Sequence, residues 1–323
     1  MTFFAILLAL LVEQARPLGF DNPVHAGLRA WARWARRSLD TGQARQGAIA
    51  WAVAVLVPTA LAAAVHWLLW EFSVLLAFVW MAVVLYYTVG FRQFSHHFTE
   101  IRDALEAGDE NAARQALARW QRVDVSQVAR DELLRHAIEH SVLAAHRHVF
   151  GVLVWFLVLA LLGLGPAGAV LYRLAEYLSR NWQARPDGTP SVHLQRAAAM
   201  AWQWVDHVPV RVTALAFAVV GNFEDAVASW RQDAARFPNP NDGVVLAATA
   251  GAINVRLGGR ALGDPVALPG PGAAAASPPD AAAVSTDGRE PQLAHLGSVV
   301  GLVWRSVVMW MLLLALLTLA RLP

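Results

Sequence analysis

The chain has 323 residues; 57% are hydrophobic and 15% charged, against roughly 25% charged in an ordinary soluble domain. Its formal charge of +2 gives no electrostatic footprint for nucleic acid. Cysteine is absent and all 26 basic residues are Arg, which excludes disulfides, thiolate metal ligands, a lysine Schiff base and a Walker-type lysine. Several apolar runs approach the ~20 residues that cross ~30 Å of hydrocarbon. The expected fold is therefore all-α: a polytopic integral membrane helical bundle with cytoplasmic helical segments.

The first apolar run, residues 3–12, has no basic residue before it and no small-residue cleavage site after it. It reads as a short anchor helix rather than a signal peptide. Residues 13–47 follow with six Arg against three acids. Within them, "LRAWARWARRSL" places Leu28, Trp31, Trp34 and Ala35 at helical spacing among Arg29, Arg33, Arg36 and Arg37. That is the pattern of a basic helix lying at a membrane surface; a helix packed on its own protein is the alternative. Two spans are predicted next, 48–70 and 72–91, closing as a tight hairpin around Glu71, with Pro58 tolerated inside the first.

Residues 92–148 carry 8 Arg and 9 Asp or Glu. Gly108 and Asp109 separate two helical stretches, with Asp109 as N-cap of the second. This segment and residues 13–47 lie on one side of the membrane if a hairpin joins them, and their Arg content makes that side cytoplasmic. The run 149–178 is apolar but interrupted at "GLGPAG", which predicts two short helices folding back on each other rather than one span. A helix follows over 197–221, polar only at Asp206, His207 and Arg211 around Pro209. Residues 263–291 lack periodicity and read as a flexible Pro- and Ala-rich linker. The last span covers 298–320. The expected organisation is a membrane domain over 1–262 with a helical insertion at about 92–148, the linker 263–291, and a C-terminal transmembrane helix within 292–323.

Few residues carry a chemical signal. Asp206 and Arg211 are costly if their helix lies in lipid, and so are functional candidates; a salt bridge between them is open. His146 and His148 sit two apart, facing opposite sides of a helix. A metal pair would want i, i+4 spacing, which His146 and His148 do not have; no metal site is expected, and interfacial or capping roles are assigned to the histidines. In "PNPNDGVVLAATAGAINVRLGG", residues 238–259, Asn239, Asn241 and Asp242 form a turn that caps a helix. Its N-terminus suits an anion, with Arg256 near the far end; its small residues equally suit plain helix packing.

These motifs resemble those of the CobD/CbiB family. "NPNDGVVLAATAGAINVRLGG" is similar to that family's S-P-N-x-G followed by E-A-A-M-A-G-A-L-x-[IV]-x-L-G-G. "VDHVPVRVTAL" resembles its D-x-[IV]-P-A-R-L-T, "LEAGDENAARQAL" its L-x-x-G-D-L-x-x-A-R-x-x-L, and "GAVLYRL" its G-A-x-x-Y-[RK]. The resemblance implies a bacterial inner-membrane protein linked to cobalamin biosynthesis, where the family joins aminopropanol or its phosphate to a carboxylate of the corrin ring. It implies ATP and Mg²⁺ if that activity is retained. It also implies a lipid bilayer and a corrinoid or other anionic small molecule as partners, with no nucleic acid. Asp206, Arg211, Asn239, Asn241 and Arg256 become the substrate-binding candidates, with Asp109 a weaker one; no catalytic residue is assigned.

The chain departs from the family at several acids. Counting along "EHSVLAAHRHVFGVLVWF" from Glu139, the family's second Glu falls on Leu143 and its Asp on Arg147. A later Asp becomes Ser179, and the Glu of the C-terminal motif becomes Leu246. "MTFFAILLALLVEQ" and "VDHVPVRVTAL" look closer to AmpE-like proteins, non-enzymatic membrane sensors associated with β-lactamase induction. A working ligase, a degenerate copy and an AmpE-like sensor all remain open at this point.

Overall fold

The computed structural model describes residues 1–16, 22–121, 129–183, 190–259 and 285–320, with backbone alone at 91–97. Among them every regular element is helical and the only β-pairing is two isolated bridges, as the apolar composition predicts. Two compact units form: Met1–Gln93 with His146–Val212 and Trp310–Pro323, and Phe94–Ala145 with Thr213–Met309.

In the first unit, α1 (Thr2–Ala15) packs on α4 (Val74–Thr88), and α2 (Pro23–Leu39) packs on α3 (Ala44–Phe72). Asn22 caps α2, its side chain accepting from the Val24 N–H. α2 buries Ala32 and Ala35 against Ala50, Ala54 and Val55 of α3, and Trp31 Nε1 donates to the Ala54 carbonyl at 3.1 Å. One face of the basic helix therefore packs on its own protein, while Arg33, Trp34 and Arg37 stay exposed. α3 carries exposed Leu56, Val57, Leu61 and Leu68, side chains that water would not tolerate in such number on one helix but lipid does.

The hairpin after α3 turns at Ser73, two residues beyond the predicted Glu71; the Ser73 hydroxyl accepts from the Leu75 N–H at 3.2 Å. Trp80 Nε1 ties α4 back to the Ala62 carbonyl at 3.1 Å. The second predicted span, 72–91, is shortened to the 15 residues of α4, about 22 Å of helix, because Val89 is extended and ends it.

"GLGPAG" turns the chain as its Gly and Pro content predicts. α8 (Gly151–Leu161) and α9 (Ala167–Asn181) pack together. Gly163 and Gly165 take the left-handed φ values of 79° and 55° that the turn needs. Gly168 lets the backbones meet: a Cβ there would lie 1.8 Å from the Trp155 carbonyl oxygen. The long α10 (Val192–Val220), with Pro209 inside it, follows.

In the second unit, α5 (Phe91–Glu106) and α6 (Glu110–Gln121) form the predicted helix–turn–helix, with Gly108 at φ 77°. α7 (Arg130–Ala145) packs on α6 and on α12 (Pro240–Ile253), which itself packs on α11 (Phe223–Asp233). Residues 263–284 of the predicted linker lie outside the described residues. Residues 285–289 are not a free linker: Thr286 N–H donates to the Leu257 carbonyl at 2.8 Å, and Arg256 N–H to that of Arg289 at 2.7 Å. α13 (Leu293–Leu319) is the predicted last span.

Three described helices are long and apolar enough to cross a membrane: Ala44–Phe72, the continuous run Arg130–Leu161, and Leu293–Leu319. The second begins well before the predicted position 149, because α7 runs into α8 through a π-helical turn, His146–Phe150. The chain is a helical membrane protein.

Candidate functional site

The π turn decides which side chains enter the first unit. One extra residue per turn rotates the helix face locally, a feature concentrated at functional sites. Here it swings His146 inward, where the side chain has 0% exposure, as does that of Asp206. His146 Nε2 lies 2.9 Å from Asp206 Oδ1. Tyr172 of α9 donates its hydroxyl to the same oxygen at 2.8 Å. A carboxylate only accepts, so the imidazole carries its proton on Nε2 in this pair. Gly151 makes room for the phenol: a Cβ there would lie 2.1 Å from the Tyr172 hydroxyl. Trp202 packs against the Tyr172 ring at 5.2 Å, and Trp155 Nε1 donates to the Val205 carbonyl at 2.8 Å. Asp206 Oδ2 is buried with no hydrogen-bond partner among the described residues.

The next residues of the same two elements build a second, charged group. Arg173 Nη1 lies 2.9 Å from His148 Nδ1 and 3.4 Å from Glu176 Oε2. Arg180 Nη1 holds Glu176 Oε1 at 3.0 Å. Glu176 is only 5% exposed, against 23% for Arg173 and 53% for Arg180.

Of the sequence candidates, Asp206 lies at the centre of the first group. Arg211 does not pair with it. Its guanidinium donates to the His207 carbonyl of its own helix at 2.8 Å, because five residues on a helix put the two side chains on different faces. Asn239, Asn241, Arg256 and Asp109 belong to the other unit.

There, Asn239 caps α12 as the Asn-Pro-Asn turn predicts. Its Oδ1 accepts from the Asn241 N–H at 3.1 Å, and its Nδ2 donates to Asp242 at 3.0 Å. Asn241 is buried. The small residues of α12 serve close packing: a Cβ on Gly251 would lie 2.2 Å from the Asp225 carbonyl oxygen. Asn254 ends the helix in the left-handed conformation at φ 52°. Arg256 points away from the helix and pairs with Glu290. Asp109 is exposed and caps α6, accepting from the Ala112 N–H at 2.9 Å.

Sequence reasoning missed His146, Tyr172 and Glu139. The two-residue spacing of His146 and His148 argued against a shared site, and it is the π turn, invisible in a periodicity, that gives each its own group. Glu139 Oε1 accepts from the Gly258 N–H at 2.6 Å and from Arg135 Nη1 at 3.1 Å. It thus pins "VRLGG" to α7, joining two motifs 119 residues apart. Arg135 is 6% exposed and also pairs with Glu132. Glu139→Leu would take one carboxylate from the buried Arg135 guanidinium and the acceptor from the Gly258 N–H. We expect a loss of about 2–3 kcal/mol and faster amide hydrogen exchange across 255–259; unchanged exchange there would show that Glu139 does not hold the segment.

The CobD/Cbib protein family model matches residues 2–286. The cobalamin biosynthesis protein CobD of Stutzerimonas stutzeri is 32% identical over 326 residues, covering 97% of this chain and 96% of that protein. The CobD of Chromobacterium violaceum is 35% identical over 187 residues, 58% of each chain, and that of Mycobacterium tuberculosis 36% over 172 residues, 50% of each. No solved structure matches. The AmpE-like alternative finds no support in these relatives. The motifs around Asp206 and along α12 fall inside the matched region, and with similarity running from end to end the chain belongs to the CobD/CbiB family.

Proposed function

We propose that this protein works in cobalamin biosynthesis, in the inner membrane with several spans and with residues 13–47 and 92–148 on the cytoplasmic side, binding an anionic corrinoid without the family's magnesium-dependent amide ligation. The observation that carries the pathway assignment is end-to-end similarity to a protein named for cobalamin biosynthesis. The Arg excess of residues 13–47 supports the orientation.

Magnesium is held by carboxylates together with substrate phosphates, and the residues present do not fit it. Among the described residues no three of His, Asp and Glu lie close enough to hold a metal ion. Asp206 is committed through one oxygen to His146 and Tyr172. Arg147 stands where the family motif carries its Asp, and a guanidinium repels a divalent cation. No step is therefore routed through magnesium or a magnesium-bound nucleotide. What the residues can do is bind: the buried triad fixes α9 and α10 against the π turn, and the arginines present donors.

The experiment is complementation of a strain lacking cobinamide-phosphate synthase, beside corrinoid binding by the detergent-solubilised protein followed in the corrin absorbance. The expected result is binding without growth rescue. Rescue would restore the ligase reading; absence of both would remove the protein from the pathway.

A further inference from the structure

We propose that the exposed face of α2 is a docking surface for anionic phospholipid, its arginines holding headgroup phosphates of the leaflet at that end of α3. This docking is independent of which soluble ligand the protein binds.

Depth places α2 at a membrane boundary. α3 has 29 residues, about 43 Å of helix, against ~30 Å of hydrocarbon. Its far end exposes Trp67, Trp70 and Phe72, and tryptophan gathers where hydrocarbon meets headgroups. About twenty residues back, the length of one crossing, the helix reaches Gly47 and Ala50. That is where α2 packs: Ala32 and Ala35 lie against Ala50, Ala54 and Val55, and Trp31 Nε1 donates to the Ala54 carbonyl. The end of α4 reaches the same level, with His25 Nε2 of α2 2.9 Å from the Tyr87 carbonyl oxygen. Trp31, Trp34, Tyr86 and Tyr87 thus supply the aromatic residues of the second boundary, and α2 lies among them.

The charge of α2 is of one sign. It carries Arg29, Arg33, Arg36 and Arg37 and no Asp or Glu. Asp40, the acid that follows it, accepts from the Ser191 N–H at 2.8 Å. The side bearing Ala32 and Ala35 is spent on α3, while Ala30, Arg33, Trp34 and Arg37 are left exposed. These recur at three and four residues, so they form one stripe with neighbouring Cβ atoms about 5–6 Å apart. Trp34 is 48% exposed although its ring stacks on Trp31 at 4.8 Å. A half-open indole between two guanidinium groups suits the headgroup layer: the ring meets the apolar side, and the planar forks donate paired hydrogen bonds to phosphate. Phosphatidylcholine brings a cation with each phosphate and phosphatidylglycerol does not. A stripe without a carboxylate therefore favours the second.

The test uses the full chain in nanodiscs of mixed phosphatidylcholine and phosphatidylglycerol, with retained lipid identified by native mass spectrometry. Phosphatidylglycerol is expected to be enriched over phosphatidylcholine. The enrichment should fall about fivefold in Arg33→Gln and further when Arg37→Gln is added. Arg33→Lys with Arg37→Lys keeps the charge and should lose less; Arg231→Gln, on exposed α11, should lose nothing. The chain has no cysteine, so Ala30→Cys gives a single labelling site on the stripe. A nitroxide there is expected at headgroup depth, shielded from an aqueous relaxation reagent. Equal retention of the two lipids, enrichment unchanged in the double Gln variant, or a nitroxide fully open to the aqueous reagent would overturn the proposal. Dimers that disappear in the double Gln variant would assign the face to a second copy of the chain and overturn it too. Circular dichroism and gel filtration confirm that each variant folds; the parental enrichment and the nitroxide depth need no arginine variant.

Discussion

Asp206→Leu is expected to destabilise the solubilised protein by about 2–4 kcal/mol. Removing the carboxylate takes the acceptor from His146 Nε2 and from the Tyr172 hydroxyl at once. Both donors have 0% exposure and no route to water. A hydrogen bond between membrane helices contributes only about 0.6–2 kcal/mol on average. Here, however, two donors are stranded together, and the cost of leaving a buried group unsatisfied exceeds the net gain of forming its bond. Asp206→Asn keeps an oxygen that accepts from both, so its loss should stay near 1 kcal/mol. Tyr172→Phe removes one donor and should couple to Asp206→Asn in a double-mutant cycle. The 14 tryptophans, Trp202 against Tyr172 among them, provide the fluorescence signal for denaturant unfolding in detergent. If Asp206→Leu unfolds at the parental midpoint, the three groups are not buried together.

Gly251→Val is expected to separate α11 from α12 and to cost about 3 kcal/mol or more. A Cβ at this position would lie 2.2 Å from the Asp225 carbonyl oxygen and 2.6 Å from Ala226 Cα. Both are backbone atoms of a neighbouring helix, so no side chain can turn aside to relieve the contact. The matching control is Gly297→Ala in α13, where nothing lies within 4 Å of an added Cβ; helix propensity alone should make it neutral or stabilising by up to about 1 kcal/mol. Limited proteolysis between the two helices, compared across both variants, reads the separation directly. Equal resistance of Gly251→Val and the parent would refute the close approach. The loss would also expose the cap at Asn239 and the "VRLGG" end that Glu139 pins, so this packing holds the family signature in shape.

Much of the fold could be read from order and composition. The helical class, the break at "GLGPAG", the Gly108–Asp109 turn and the last span each rest on local properties: apolar length, backbone freedom and capping. Asn239 as a cap was equally legible, because an Asx turn needs only residues two and three positions away. The buried face of α2 was not. Its spacing gives an amphipathic helix, but whether the apolar side meets lipid or protein depends on whether another helix presents a matching surface, and α3 does.

The candidate site was legible only as single residues. Asp206 stood out because a charge in an apolar helix is expensive wherever it lies. Its partners were set by tertiary structure: His146 comes from 60 residues and Tyr172 from 34 residues away in sequence, and the π turn that aims His146 inward leaves no trace in helical periodicity. The same holds for Arg211, whose charge looked like a partner for Asp206 until the helix put the two on different faces. Sequence by itself determined that this chain makes helices, where Gly, Pro and Asx turns break or cap several of them, and to which family it belongs, because those depend on local propensity and motif order. Tertiary structure decided which polar groups meet, because burying a charge has a cost that only a neighbour in space can offset.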